Sequence, residues 1–233
     1  MRKLKSALSL MANGNISELI GELRKRLNST SHYFGLRRDL KIPFDNPDAK
    51  IPVTVRELNS EDLKYLLDAQ FRKEDPRLAE YQQAIVNSGL KTAYVATNEH
   101  DIAAYMQFLI KPDQNELIQK HFKGIFPLLK DDEGLLEGAF MNPEFRGQRI
   151  MPAAMARIAE KATELGLKSA ITFVDVTNIP SLKGCHRAGF SPYVLRVDRW
   201  YMFKRSVTYR PVEKQLLDEY EQNIGISRET VNA

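Results

Sequence analysis

An α/β fold with an N-terminal helical extension is what this sequence predicts, and three stretches predict it. Residues 53–110 take turns between strand-like and helix-like segments. Residues 137–155, EGAFMNPEFRGQRIMPAAM, read as a strand that runs through a tight turn straight into a helix. Residues 170–176 form an apolar, β-branched run of the kind that makes a buried strand. Strand and helix patterns that alternate along 233 residues describe one large sheet-based domain with appendages.

Composition narrows the class. An apolar fraction of 43% is ordinary for a globular chain with a real core. No apolar run approaches the roughly 18 residues a membrane-spanning helix needs. The chain begins MRKLKSALSLM, basic and then briefly apolar, but no small-residue cleavage site follows, which argues against a signal peptide. One cysteine, Cys185, allows no internal disulfide and agrees with a reducing cytoplasm, the expected location. The four histidines show no metal-ligand spacing with it, so no metal is expected. The net charge of +4 is unevenly placed: residues 1–41 hold nine basic residues against three acids. The basic character belongs to the N-terminal segment.

The elements follow in order. Residues 2–11 and 16–28 have helical periodicity, with Leu4, Leu8 and Met11 on one face and Leu19, Ile20, Leu23 and Leu27 on another. Asn13-Gly14-Asn15 separates them, and Asn15 with Glu18 forms a capping-box pattern. Such a basic amphipathic pair suits an anionic membrane surface or an acidic partner. It equally suits docking on the main domain or on a second subunit, as in a homodimer. Residues 42–52 carry three prolines and read as a linker. Val53, Val55 and Leu58 begin a strand, Asn59-Ser60-Glu61-Asp62 starts a helix to about residue 72, and a second helix runs over 76–87 to Gly89. Strands follow at 92–97 and 102–110, joined by a polar turn. Residues 111–133 interrupt the pattern with a short helix at 116–121 and an apolar loop at 122–129, either a cover for a site or a packing element.

In the central stretch Asn142-Pro143 stops a strand at Met141, and Ile150, Met151, Ala154, Met155, Ile158, Ala159 and Ala162 mark a helix. A helix that opens this way points unpaired N–H groups and its positive dipole end at one spot, a seat for phosphate. Pro152 falls in the first turn, where its missing N–H is not needed. After the 170–176 strand, NIPSLKGCHRAGF (178–190) reads as an Asn-led helix closed by Gly189-Phe190. Ser191-Pro192 then turns the chain, Trp200–Val207 supplies a last strand, and a polar helix follows Glu213.

The run Pro143-Glu144-Phe145-Arg146-Gly147 before a helix resembles the acyl-CoA pyrophosphate loop of the GNAT superfamily of acyltransferases. Arg149 and Met151 stand where that loop has small residues. Asn178, Ser181, Ala188, Gly189 and Phe190 match a second pattern of the same family at the right separation. The resemblance covers about residues 51–207 and implies a mixed, twisted sheet flanked by helices. The domains expected are thus a basic helical extension and linker (1–50), the acyltransferase domain (51–207) and a C-terminal tail (208–233).

The resemblance also implies a chemistry. The family's acceptor amine attacks the thioester directly, so the protein must hold the pyrophosphate, polarise the carbonyl and move protons. The loop of Arg146, Gly147, Gln148, Arg149, Ile150 and Met151 would take the pyrophosphate, with its two arginines adding charge. A helical conformation at Arg149 would aim its N–H inward. Ala139 and Met141, at the end of a splayed strand, would pair with the pantetheine arm, and Asn178 belongs to the same cofactor set. Glu137 is the first candidate base and Asp175 the second, each otherwise an exposed or salt-bridged carboxylate. Seven residues past the Asn, where relatives often carry an acidic Tyr, stands Cys185. It is either a proton donor to the thiolate or a buried filler, and neighbouring His186 is either an acid or base or a solvated helix residue.

The function implied is N-acyl transfer, most simply of acetyl from acetyl-CoA, to an amine of a small molecule or sugar nucleotide, with no metal and no nucleic acid. Two alternatives stand beside it: a non-catalytic binding module of the same fold, and an enzyme whose acyl donor is an acidic carrier protein docked by the basic helices.

Overall fold

The computed structural model describes residues 16–66, 89–90 and 92–226. The chain runs α1 (Ile16–Leu27), β1 (Asn28–Asp39), β2 (Thr54–Glu57), α2 (Ser60–Leu66), β3 (Ala93–Thr97), β4 (Ala103–Ile110) and α3 (Asn115–Phe122). It continues through β5 (Glu133–Met141), α4 (Ile150–Glu164), β6 (Ser169–Asp175), α5 (Ile179–Arg187), β7 (Ser191–Tyr201), β8 (Lys204–Arg210) and α6 (Lys214–Ile224). The helices expected at 2–11 and 76–87, and the Asn15 cap, lie outside the described residues.

The strands form one mixed sheet in the order β2-β3-β4-β5-β6-β1-β7-β8, in which only β5 and β6 pair in parallel among neighbours. This is the expected mixed sheet flanked by helices. All eight residues of β4 are buried, as the apolar AAYMQFLI requires of a strand covered on both faces. Alternation then sorts the core. Tyr105, Leu109 and Leu136 join Phe34 and Leu36 under α4, α5 and α6. Met106, Phe108, Leu135 and Ile171 face the other way and meet Ile118, Phe122, Phe126 and Leu129. The 111–133 segment therefore supplies core to the second face.

Three expectations are corrected. The domain does not begin at residue 51: β1, from the supposed extension, lies between β6 and β7 and pairs with both. Its polar sequence, NSTSHYFGLRRD, hides a strand whose inward residues are Phe34, Leu36 and Arg38. Gly35 is required there, since a Cβ would stand 2.4 Å from Val194 Cγ1 and 2.9 Å from Phe173 Cε1. Nor is Ser191-Pro192 a turn before a final strand at Trp200–Val207. Both residues lie within β7, and the turn falls at Met202-Phe203. Pro192 is tolerated because β8 ends at Arg210, opposite Leu195, and leaves that side of β7 unpaired. Finally, the tail expected at 208–233 belongs to the domain as far as α6, whose Tyr220 is 3% exposed and packs edge-on against Phe34 at 5.1 Å.

Candidate functional site

A bulge in β5 makes the opening. Between the pairs Met106↔Phe140 and Phe108↔Glu137, β5 carries one residue more than β4, and Gly138 takes a φ of 67° to accommodate it. A bulge bends its strand and strengthens the local twist. On the other side, β5 and β6 pair only at Glu133↔Ser169, Gly134↔Ala170 and Leu135↔Ile171, then separate. Beyond Leu135 the two parallel strands diverge, and Ala139 is exposed in the gap. Beyond Leu135, β5 keeps β4 as its strand partner and is no longer paired with β6. Met141 is half-buried and paired across to Tyr105.

The turn after β5 aims the next helix at the same place. Asn142 is fully buried; its Oδ1 accepts from the Glu144 N–H at 3.1 Å, and its Nδ2 donates to the Ala103 carbonyl at 3.3 Å. A 3-10 turn over Pro143–Phe145 leads through Gly147, at φ 80°, to Arg149. Among the described residues no side chain caps α4. Its first-turn N–H groups have no intrahelical acceptor and face outward with the positive end of the helix dipole. Arg146, Gly147 and Arg149 are exposed around them, and Gln148 is half-exposed. That is a donor-rich, cationic seat suited to a pyrophosphate.

The expected helical conformation of Arg149 is corrected. Arg149, the N-cap, is left-handed, φ 56° and ψ 24°. This is the backbone for which glycine is favoured, and a side chain there costs about 1–2 kcal/mol. Met151 is accommodated differently. A Cβ at Gly184 would stand 2.6 Å from Met151 Sδ, so the bare backbone of α5 makes room for the larger side chain on α4.

The two candidate carboxylates come to one face. Glu137 pairs opposite Phe108 and shares its side of the sheet, while Asp175 follows Phe173 by two residues and shares that same side. They stand on the two strands that diverge. Glu137 is half-buried, and its Oε1 accepts from the Gly138 N–H at 3.0 Å, which couples the carboxylate to the bulge. Asp175 is occupied locally: Oδ1 accepts from the Thr177 N–H at 2.8 Å and the Thr177 hydroxyl at 2.6 Å. Its carboxylate fastens the turn into α5.

Cys185 and His186 lie elsewhere, on α5. Cys185 is 1% exposed within the core of the opposite face, and burial pushes its thiol up to about 12. The cysteine at this position is a core side chain. Desolvation, with the nearby Arg187 charge, holds half-buried His186 below the usual imidazole range and therefore neutral at pH 7. Asn178 caps α5, its Oδ1 accepting from the Ser181 N–H at 3.2 Å.

Sequence reasoning missed the residues that tie the N-terminal segment to this site. Buried Arg38 of β1 donates to the Ala156 carbonyl of α4 at 3.3 Å and the Ala188 carbonyl after α5 at 3.1 Å. Phe44 covers the Arg38 guanidinium at 4.5 Å and packs on Gly189. The Lys50 N–H donates to the Gln148 carbonyl at 2.8 Å, so the linker clasps the anion loop itself. No local pattern announces the contacts of Arg38 with Ala156 and Ala188, of Phe44 with Gly189 or of Lys50 with Gln148, because each joins residues about a hundred or more positions apart.

Among the described residues no cluster of three or more His, Cys, Asp or Glu could hold a metal, and no helix is long and apolar enough to cross a membrane.

A model of the acetyltransferase (GNAT) family matches residues 55–190. No curated protein matches the chain. Among solved structures, the chain is similar to the GCN5-related glucosamine N-acetyltransferase region of a fungal multidomain β-N-acetylglucosaminidase, at 16% identity and a TM-score of 0.50, over 85% of this chain and 23% of that one. It is also similar to a Drosophila protein, at 14% identity and a TM-score of 0.49, over 84% of this chain and 59% of that one. A GNAT-family acetyltransferase from Colwellia psychrerythraea is similar at 13% identity and a TM-score of 0.49, over 74% of this chain and 56% of that one. The chain spans less than two thirds of the length of each, and at such identities the likeness is one of fold.

Proposed function

The chain belongs to the GNAT family of acetyltransferases, and from that premise we propose that it transfers an acyl group, most simply acetyl, from CoA to the amine of a small molecule or sugar nucleotide. The observation that supports this reading most is the divergence of β5 from β6 beside an uncapped helix N-terminus flanked by Arg146 and Arg149.

Each residue then has a task. The amides of Gly147, Gln148, Arg149, Ile150 and Met151 hold the pyrophosphate, with Arg146 and Arg149 adding charge-assisted bonds. The main chain of Ala139 and Met141 pairs with the pantetheine arm and steadies the thioester carbonyl as negative charge develops on its oxygen. Glu137, on the second face at the mouth of the gap, takes a proton from the attacking amine, directly or through a water. The amine nitrogen bonds to the carbonyl carbon, the C–S bond breaks with its electron pair on sulfur, and the thiolate takes up a proton. Cys185 is too deeply buried for that last transfer, and its pKa of about 12 makes it a weak donor.

Incubation with acetyl-CoA and a panel of amines, following release of free thiol, tests the reading. Turnover with at least one amine and saturable binding of acetyl-CoA by calorimetry are expected; neither binding nor turnover would overturn it. Glu137→Gln should lower kcat by about a hundredfold with KM for acetyl-CoA little changed, the usual scale for loss of a general base. Asp175→Asn should leave kcat within a few fold, since its carboxylate serves a turn.

A further inference from the structure

Tyr201 to Lys204 close the β7–β8 hairpin through a two-residue turn, and both turn residues, Met202 at φ 47° and Phe203 at φ 64°, are left-handed. Such turns are the places where sequences carry Asn-Gly or Asp-Gly. Here two bulky apolar residues accept the strain and lie in solvent, Met202 60% and Phe203 53% exposed. Strain and solvent exposure together mark side chains kept for something outside the fold.

The tip is not alone. The Met202 N–H donates to the Leu27 carbonyl at 2.9 Å and the Phe203 N–H to the Arg26 carbonyl at 2.8 Å. The turn thereby satisfies terminal carbonyls of α1 and fixes that helix beside the tip. Ile20, Leu23 and Leu27 of α1, each more than 40% exposed, add apolar side chains on the helix that this turn anchors. Exposed Arg24, Lys25, Arg199 and Lys204 border it. Trp200 is held beneath Arg26 at 5.8 Å and Arg205 at 5.9 Å. Asp198 of β7 is buried and engaged by Arg196 and Arg205.

We infer that the β7–β8 tip and α1 together form a docking surface for an anionic phospholipid bilayer. Met202 and Phe203 insert among the acyl chains, and the bordering cations meet lipid headgroups. Charge complementarity selects this occupant. In a symmetric dimer the same basic patch would face itself, with like charges opposed. A purely acidic protein would satisfy the cations but gives no use to two strained, exposed apolar residues.

The surface also has a position relative to the site. Pairing of Tyr33 with Asp175, and of Asn28 with Tyr201, puts the tip at the same end of the sheet as the C-terminal ends of β5 and β6. Docking would turn the open end of the gap toward the bilayer.

Trp200, the single tryptophan, is a built-in reporter. The full chain should show a blue shift of its fluorescence, and co-sedimentation, with vesicles of phosphatidylcholine mixed with phosphatidylserine. Binding to phosphatidylcholine vesicles alone should be weaker by about tenfold or more. The variant Met202→Asn/Phe203→Gly should fold with an equal or higher thermal midpoint, because it places preferred residues in the turn, yet lose vesicle binding by about tenfold. Lys25→Glu/Lys204→Glu should abolish the preference for anionic lipid. Equal binding to both vesicle types, or to neither, would overturn the inference. So would a concentration-dependent dimer that the turn variant dissociates, which would make a second copy the occupant. Retention by polyglutamate without vesicle binding would overturn it in favour of an acidic protein.

Discussion

Two of the turns that place non-glycine residues in left-handed backbone, the one before α4 and the β7–β8 tip, differ in what surrounds the strain. In the loop before α4, Gly147 takes one left-handed position at φ 80° and Arg149 the other at φ 56°. At the β7–β8 tip no glycine is used, and Met202 and Phe203 carry both. Around Arg149 lie backbone donors and a second arginine; around Met202 and Phe203 lie apolar side chains with a cationic border. In each case the fold would be served better by a smaller residue. On the functions proposed above, the strained residue is kept for its side chain, whose chemistry matches its ligand: an anion at one turn, an apolar medium at the other.

The largest effect expected from breaking this comparison is on the loop's charge. Arg146→Ala/Arg149→Ala should weaken acetyl-CoA binding by about a hundredfold or more, since a hydrogen bond to a charged group contributes roughly 1.5–3 kcal/mol. Calorimetric titration measures it. The same variant should leave vesicle binding at the tip unchanged, because the two surfaces have separate ligands. A loss at both would mean that general positive charge, not local design, carries each interaction.

A smaller effect separates backbone from side chain at Gly147. Nothing lies within 4 Å of a Cβ built there, so Gly147→Ala introduces strain without a clash. It should lower stability by about 1–2 kcal/mol, or roughly 2–8 °C in thermal midpoint for a chain of this size. An unchanged midpoint would show that the loop relaxes freely, and would weaken the strain argument at both turns.

How much of this was legible in the sequence follows from the range of the contacts involved. The strand, turn and helix at 137–155 are local, so this arrangement could be read from Pro143, Gly147 and the spacing after Ile150. The bulge could not, because Gly138 reveals its role only through the register of β5 against β4. Nor could the sheet face of Glu137, since alternation gives two faces and only the pairing with Phe108 chooses between them. β1 was invisible for a related reason. Eight of its twelve residues are polar or charged, and its partners, β6 and β7, lie more than a hundred residues away. Arg38 looked like one more cation in a basic segment, yet it is the buried link between β1, α4 and the end of α5. Cys185 could be read either way until burial decided it.

The smallest effect is the sharpest test of the comparison, because it sets the two turns side by side in one measurement. Arg149→Gly removes strain and charge together. Relief of the left-handed side chain should stabilise the fold by about 1 kcal/mol, while loss of one charge-assisted contact should weaken acetyl-CoA binding about tenfold. Met202→Asn/Phe203→Gly should likewise hold or raise the midpoint, but with acetyl-CoA affinity intact. The two turns follow β5 and β7, strands separated in the sheet by β6 and β1, so the combined variant should show additive gains in stability. If Arg149→Gly stabilises without weakening the complex, the arginine is a tolerated accident and the loop works through its backbone alone. If it weakens the complex without stabilising the fold, the left-handed position costs little here. The strain at Met202 and Phe203 would then need its own direct measurement before it could speak for a ligand.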